Sequence, residues 1–396
     1  MPVPSLAIVL MGVGLLTACT QPEPTATPTA VPTPTPTAVP TPTSTANMAQ
    51  ARFSHVAVRL RSGKVLVAGG WAQIIPRLDQ KKASVEIYDP VSAAWSSAGP
   101  MEEARGGHES MLLKSGNVLV VGGAGGEGTP LATVEIYDPA TGAWSSADRM
   151  AVTRGGHTAT LLQDGNVLVA GGSGGSSARG LVEIYVQAAR VWMLARRQMA
   201  QARSAHTATL LEDGRVLVVG GTTRSSVLAS VEIYDPATGG WSPASPMAHA
   251  RGGHRATLLE DGSVVVVGGR DGSTQLATVE IYDPATGAWS PAGSMAEARV
   301  AHTATLLEDG RVLVVGGAGG EGTPLATVEI YDPATRTWSP AGTLAEARAG
   351  HTATLLNDGS VLVVGGGNSG SVLASVEIYD PATGAWLPPG RMAEAR

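Results

Sequence analysis

Residues 299–338 read RVAHTATLLEDGRVLVVGGAGGEGTPLATVEIYDPATRTW, and this stretch decides the fold. Its Asp309-Gly310 dipeptide lies between two apolar runs, which is a strong hairpin signal because both central turn positions favour positive φ. A second turn begins at Asp332, where the following Pro presets φ at the next turn position. The stretch therefore predicts four short strands, A to D in chain order. Strand A is His302–Leu307, strand B is the Val-rich run that ends in Gly316-Gly317, strand C is Val328–Tyr331, and strand D begins at Trp338.

This unit is copied seven times, with successive Arg-x-x-His motifs 48 to 53 residues apart. The repeated His residues are His55, His108, His157, His206, His254, His302 and His351, and each is followed by one Gly-Gly pair, one Tyr and one Trp. Seven of the 8 Trp and all 7 Tyr occupy these two positions. Four strands in a period of this length fit one propeller blade. The sequence therefore predicts an all-β fold, a seven-bladed β-propeller over residues 47–396 that closes into a ring.

The Gly-Gly after strand B, the Tyr of strand C and the Trp of strand D resemble the kelch repeat family. The resemblance covers roughly residues 52 to 396, nearly the whole chain. It implies the kelch-type propeller fold without fixing a function, because kelch propellers include adaptors, bacterial surface proteins and galactose oxidase. The oxidase chemistry that the resemblance would bring uses copper and a Cys–Tyr crosslink. The only cysteine here is Cys19, outside the propeller, so neither a cofactor nor a metal is expected.

The first 46 residues predict where the protein is located rather than how it folds. Residues 1–19 contain a short apolar run and end in Leu-Thr-Ala-Cys, which resembles a bacterial lipobox with Cys19 as the lipidated residue. No Lys or Arg precedes the run. Residues 20–46 are a Pro/Thr-rich spacer, in which frequent prolines prevent helix and favour extended chain. We expect an exported protein, lipid-anchored through Cys19 at the outer face of a bacterial membrane or the cell surface.

Composition excludes one class of partner. The net charge is -6, which argues against a nucleic-acid binder that works by neutralising phosphates. The chain carries one more copy of the linker that precedes strand A than it has blades, with copies at both ends of the propeller, at 47–52 and at 391–396. These two copies compete for one position at the seam of the ring. Either the C-terminal copy is a latch there, or the chain is part of a longer array.

The repeated Arg and His residues have three interpretations. Arg299 and His302 are typical, with His254 in the preceding blade, and all would lie near the mouth of a central channel. In the first interpretation they are structural and satisfy backbone groups or a strand-C Glu of a neighbour. In the second they bind a ligand at the channel mouth, and in the third the imidazoles hold a metal. Gly-Gly, Tyr and Trp, at fixed phase in all copies, are expected to be packing positions.

The turns assign two ends to the propeller. The A–B and C–D turns are nearly uniform and share one end. The B–C loops, which vary between copies, share the other end with the D–A linkers, and scaffolds of this kind usually bind at the variable end. We call this end the variable face. The longest loop, in blade 1, carries the candidate ligand contacts Trp71, Arg77, Asp79, Lys81 and Lys82. Alternatively, Trp71 only packs under its own loop.

Three functions remain open at this point. The first is a non-catalytic, surface-anchored module that recognises a protein or a glycan through the variable face. It is favoured because no paired carboxylates or Ser/His/Asp group interrupts the repeat pattern. The second is a hydrolase or isomerase on a kelch propeller, and the third is a purely architectural envelope protein.

Overall fold

The computed structural model describes residues 47–73, 82–175 and 178–387. The signal peptide, Cys19, the Pro/Thr-rich spacer and the C-terminal linker copy lie outside the described residues. None of the described segments forms a helix that is long and apolar enough to cross a membrane.

The described chain forms seven four-stranded antiparallel sheets, each following the order predicted for strands A to D. Blade 1 contains β1 (Val56–Arg59), β2 (Val65–Ala68), β3 (Val85–Asp89) and β4 (Ala94–Ala98). Blade 2 contains β5 (Glu109–Leu112), β6 (Val118–Val121), β7 (Val134–Asp138) and β8 (Ala143–Ala147). Blade 3 contains β9 (Gly155–Leu161), β10 (Val167–Ser173), β11 (Val182–Val186) and β12 (Val191–Leu194). Blade 4 contains β13 (Thr207–Leu210), β14 (Val216–Val219), β15 (Val231–Asp235) and β16 (Gly240–Ala244).

The last three blades repeat the arrangement. Blade 5 contains β17 (Arg255–Leu258), β18 (Val264–Val267), a small hairpin of β19 (Arg270–Asp271) and β20 (Thr274–Gln275) in its B–C loop, β21 (Thr278–Asp283) and β22 (Ala288–Ser294). Blade 6 contains β23 (Thr303–Leu306), β24 (Val312–Val315), β25 (Thr327–Asp332) and β26 (Thr337–Thr343). Blade 7 contains β27 (Thr352–Leu355), β28 (Val361–Val364), β29 (Val376–Asp380) and β30 (Ala385–Leu387). Two single-turn 3-10 helices, Gly126–Gly128 and Gly320–Gly322, lie in the B–C loops of blades 2 and 6.

The ring is closed. Strand A of every blade lies beside strand A of both neighbouring blades, including β27 beside β1, so the seven A strands surround a central channel. At the seam, the backbone N–H of Met48 donates to Ala374 O at 3.1 Å and that of Arg52 donates to Leu373 O at 3.0 Å. The linker copy at the start of the propeller therefore occupies the seam position, and the prediction of a closed seven-bladed propeller is confirmed.

The core lies between the blades. The alternating side chains of strands B and C face the two neighbouring sheets, so that Leu313 and Val315 of blade 6 pack against Val361, Val363 and Tyr379 of blade 7. Each repeat Tyr is buried and lies 5.1 to 5.2 Å, centroid to centroid, from the Trp of its own blade. In four blades the indole N–H donates to a carbonyl oxygen in strand D of the preceding blade or directly after it; the donors are Trp144, Trp289, Trp338 and Trp386. Tyr and Trp are thus packing positions that join adjacent sheets.

The Gly-Gly pair is required by close approach of two linkers. Gly316 has φ +53°, and a Cβ there would lie 2.5 Å from the carbonyl oxygen of Arg348. Gly317 has φ +103°, and its Cβ would lie 2.8 Å from the carbonyl oxygen of Val300. The Gly-Gly pair therefore lies between the linker that precedes its own blade and the linker that precedes the next blade, where only glycine fits.

Candidate binding face and central channel

The repeated Arg joins each blade to the preceding one from a fully buried position. Nη1 of Arg299 donates to the carbonyl oxygens of Gly316 at 2.7 Å and Thr327 at 3.1 Å, and Nη2 donates to Glu329 Oε1 at 2.6 Å. The carbonyl oxygen of Arg299 accepts from the N–H of Gly269 in the preceding blade at 2.9 Å. The same buried pair occurs in all blades: Arg52–Glu86, Arg105–Glu135, Arg154–Glu183, Arg203–Glu232, Arg251–Glu280, Arg299–Glu329 and Arg348–Glu377.

This geometry favours the structural interpretation of Arg299. The paired Glu belongs to strand C of the blade that the linker leads into, and not to a neighbouring blade as the sequence suggests. Glu329 is itself held, because its Oε2 accepts from the backbone N–H of Ala296 at 2.7 Å. With its charge paired and its side chain 0% exposed, Arg299 offers nothing to a ligand in the channel.

The repeated His residues form a buried ring of neutral imidazoles around the channel. His254 donates to or accepts from Thr207 Oγ1 of the preceding blade at 2.9 Å through Nε2. Equivalent contacts join His55 to Thr352, His206 to Thr158 and His351 to Thr303. Burial, reinforced by the neighbouring Arg251, lowers the pKa of His254 to about 3. Within the described ranges, no group of His, Cys, Asp or Glu residues is arranged to hold a metal ion.

Three blades break the His–Thr contact, and sequence reasoning missed the reason. The residue after each repeat His is Thr in four blades, but Val56, Glu109 and Arg255 stand there in blades 1, 2 and 5. The His residues that would contact them are His108, His157 and His302. For His108 and His302, both ring nitrogens are buried and lack a hydrogen-bond partner among the described residues. Aligning the seven repeats on their His residues would have identified Glu109 and Arg255 as charged residues at a position where four repeats have Thr.

The variable face carries one aromatic pair. Phe53, the only Phe of the chain, and Trp71, the only Trp outside the repeat, stack with centroids 6.4 Å apart and planes inclined by 28°. The backbones of the two residues pair as an antiparallel bridge between the blade-1 linker and the blade-1 loop. The Trp71 indole also covers Gly106 in the next linker, where a Cβ would collide with it. Trp71 therefore packs across two linkers and remains half-buried, so its rings are held rigidly at the surface.

The other candidate contacts of blade 1 are described only in part. Arg77, Asp79 and Lys81 lie outside the described residues. Lys82 donates from Nζ to Gln50 Oε1 at 2.8 Å, and burial is the main cause that lowers its pKa. Lys82 is thus tied to the linker beside the aromatic pair.

A cleft of about 460 Å³ opens beside Phe53 on the same face. It is bounded by the blade-6 loop at Glu321–Pro324, the blade-7 loop at Gly367–Ser369 and the linker residues Phe53 and Ser54. Ser54 has φ +49° and Ala301, also in the wall, has φ +55°. Left-handed backbone is costly for residues other than glycine, so this rim is held in shape by its surroundings.

Comparison with known proteins supports the fold. A model of the KLHDC2/KLHL20/DRC7 Kelch-repeats domain matches residues 205–391, and the Kelch motif matches residues 52–102 and 114–151. No curated protein matches the chain. Among solved structures, a novel fungal alcohol oxidase of the AA5 family in complex with copper is similar, with a TM-score of 0.67 and 20% identity, over 83% of this chain and 73% of that one. The chain is a seven-bladed kelch-type propeller, and at this identity the similarity to the oxidase concerns the fold alone.

Proposed function

We propose that this protein is a non-catalytic interaction module that binds a protein ligand through the variable face. The observation that carries the proposal is the rigid Phe53–Trp71 pair beside the cleft on that face. A held aromatic side chain beside a pocket is the usual anchor of an interface, because it buries a large area at little cost in side-chain entropy. Kelch propellers, the class to which the matched models belong, typically mediate protein interaction. A glycan is the alternative ligand for the same surface.

The test places a photo-reactive amino acid at Asn368, which lines the cleft, and at Val91, which is 87% exposed in a C–D turn at the opposite end. We expect a discrete crosslinked protein from position 368 and none from position 91. A crosslink to carbohydrate would favour the glycan alternative. Equal labelling from both positions, or none, would favour the architectural function.

Once the partner is captured, Trp71→Ala is expected to weaken its binding by roughly tenfold to a hundredfold, since loss of a central aromatic anchor typically costs about 2 kcal/mol. Isothermal titration calorimetry of wild type, Trp71→Ala and the matched surface control Val91→Ala would measure the change. Binding that survives in Trp71→Ala with unchanged affinity would exclude the aromatic pair as the anchor.

We further propose that the propeller is exported and anchored by a lipid on Cys19, as the Leu-Thr-Ala-Cys sequence supports. Cys19→Ser is expected to move the protein from the membrane fraction to the soluble fraction and to abolish incorporation of a labelled fatty acid. A variant that stays in the membrane fraction without the label would contradict the anchor, while leaving the binding proposal intact.

A further inference from the structure

The channel contains two opposite charges that the repeat does not predict. Glu109 and Arg255 occupy the same level of the ring, because each begins its strand A and pairs with the last Val of strand B, Val121 and Val267. They belong to blades 2 and 5. Those blades are three apart in one direction and four in the other, which is as close to opposite as seven blades allow.

The two side chains do not neutralise each other. Arg255 donates from Nε to the carbonyl oxygen of His302 at 2.9 Å, and its terminal nitrogens have no hydrogen-bond partner in the described part of the chain. The Glu109 carboxyl group likewise has no hydrogen-bond partner there, and no direct ion pair joins the two residues. Arg255 is exposed to the channel. The pair thus presents a free guanidinium fork and a free carboxyl group to the same enclosed space.

The electrostatics of the two residues favour a ligand that carries two opposite charges. Burial raises the pKa of Glu109 to about 7, although the charge of Arg255 acts in the opposite direction. Although the Arg255 side chain is accessible to solvent in the channel, the surrounding protein partly desolvates the guanidinium and lowers its pKa, and the charge of Glu109 partly offsets this. Each charge is therefore partly desolvated, and a ligand that supplies the opposite charge at each end would gain more here than in bulk water.

The neighbouring His302 is a further polar group left unsatisfied where Arg255 replaces the Thr. His302 is 0% exposed, and neither ring nitrogen has a hydrogen-bond partner among the described residues. In the four blades with a complete contact, the His Nε2 is hydrogen-bonded to a Thr that directly follows the His of the preceding blade. For His302, the residue at that position is Arg255. Leaving a buried polar atom unmatched costs about 1 to 3 kcal/mol. A ligand held at Arg255 would lie next to His302, whose carbonyl oxygen already accepts from Arg255 Nε.

From this arrangement we infer that the channel binds a small zwitterion, with its carboxylate on the Arg255 guanidinium and its ammonium group on the Glu109 carboxylate. Guanidinium and carboxylate groups pair through two parallel hydrogen bonds, which fixes the ligand's orientation. The site is separate from the aromatic pair, so it does not depend on the function proposed for the variable face.

The experiment uses the full chain and a ladder of ω-amino acids from glycine to 6-aminohexanoate, measured by isothermal titration calorimetry. Acetate and butylamine serve as single-charge probes. We expect one chain length to bind at least tenfold tighter than either single-charge probe, because only a ligand of matching length reaches both residues. If acetate binds as tightly as every amino acid, the site holds an anion only and the zwitterion proposal is overturned.

The variants are Glu109→Thr and Arg255→Thr, which restore the residue that four blades already carry and should therefore fold. Each is expected to reduce binding of the preferred amino acid at least tenfold, whereas the control Thr303→Val in blade 6 leaves it unchanged. Binding to wild type should also strengthen as pH rises through about 7, where Glu109 ionises. Over that range the nearby His108, His157 and His302 stay neutral, because burial holds their pKa values well below 6.5. Unchanged binding in either Thr variant would overturn the proposal.

Discussion

Arg299→Ala should lower the free energy of unfolding by about 3 to 5 kcal/mol, the usual cost of removing one partner of a buried ion pair. The substitution leaves Glu329 charged and buried, and it frees the carbonyl oxygens of Gly316 and Thr327. Urea denaturation followed by tryptophan fluorescence would measure the loss.

The chain provides a matched control in the same blade. Arg311 pairs with Asp309 at the same 2.6 Å, but the two side chains are 36% and 45% exposed. Arg311→Ala is therefore expected to cost about 1 kcal/mol or less, as exposed pairs do. If Arg299→Ala costs no more than Arg311→Ala, the buried pairs are not what fixes each linker to the blade it leads into. The double variant Arg299→Ala/Glu329→Gln should recover part of the loss, because it removes the stranded charge.

Acid is expected to unfold the propeller through its His ring. Burial lowers the pKa values of His55, His157 and His254 to about 3, and those of the other four repeat His well below 6.5. The unfolded chain binds protons at about pH 6.5 while the folded chain does not, so stability is complete above that pH and falls as pH decreases toward the folded values.

The loss of stability expected in acid is a large part of the total free energy of unfolding. At pH 5, about 1.5 units below the unfolded value, each of the three residues costs about 2 kcal/mol, or roughly 6 kcal/mol together. The other four act in the same direction. A typical domain has only about 5 to 15 kcal/mol in total. Glu109 opposes the trend, since its raised pKa makes the folded state less stable as pH rises from 4.5 to about 7, but it is one group against seven.

Urea denaturation at successive pH values between 7.5 and 5 would measure the acid effect. His254→Asn should reduce the slope of stability against pH by about one proton. The exposed surface variant Val91→Ala, which removes no titratable group, should leave the slope unchanged. A free energy of unfolding that stays constant from pH 7 to pH 5 would contradict a neutral, buried ring.

The sequence predicted the blade and not what lies between blades. The Asp309-Gly310 turn and the fixed order of Gly-Gly, Tyr and Trp act locally, so their period was enough to identify four strands per blade. The partner of Arg299 could not be chosen from the sequence, since every strand C offers an identical Glu and only the path of the linker decides which one it meets. The stacking of Phe53 on Trp71 depends on backbone pairing between a linker and a loop. The repeat period carries no information about that pairing.

Glu109 and Arg255 are a different case. The repeat contained the signal, because each replaces a Thr that four copies share, but their significance depends on the two blades lying across a common channel. That relation exists only in the closed ring.

The seam has a consequence for how this protein is made. His55 meets Thr352 at a separation of 297 residues, and Met48, Val65 and Val67 of the first blade share one apolar cluster with Leu362 and Val364 of the last. Contacts this distant in sequence form late, because the entropy of closing the intervening chain must be overcome first. During synthesis, blades 1 to 6 leave the ribosome before blade 7, whose apolar surface covers blade 1, has been made. The apolar flank of blade 1 is then exposed for most of synthesis, and during that time it is a surface on which the incomplete chain can aggregate.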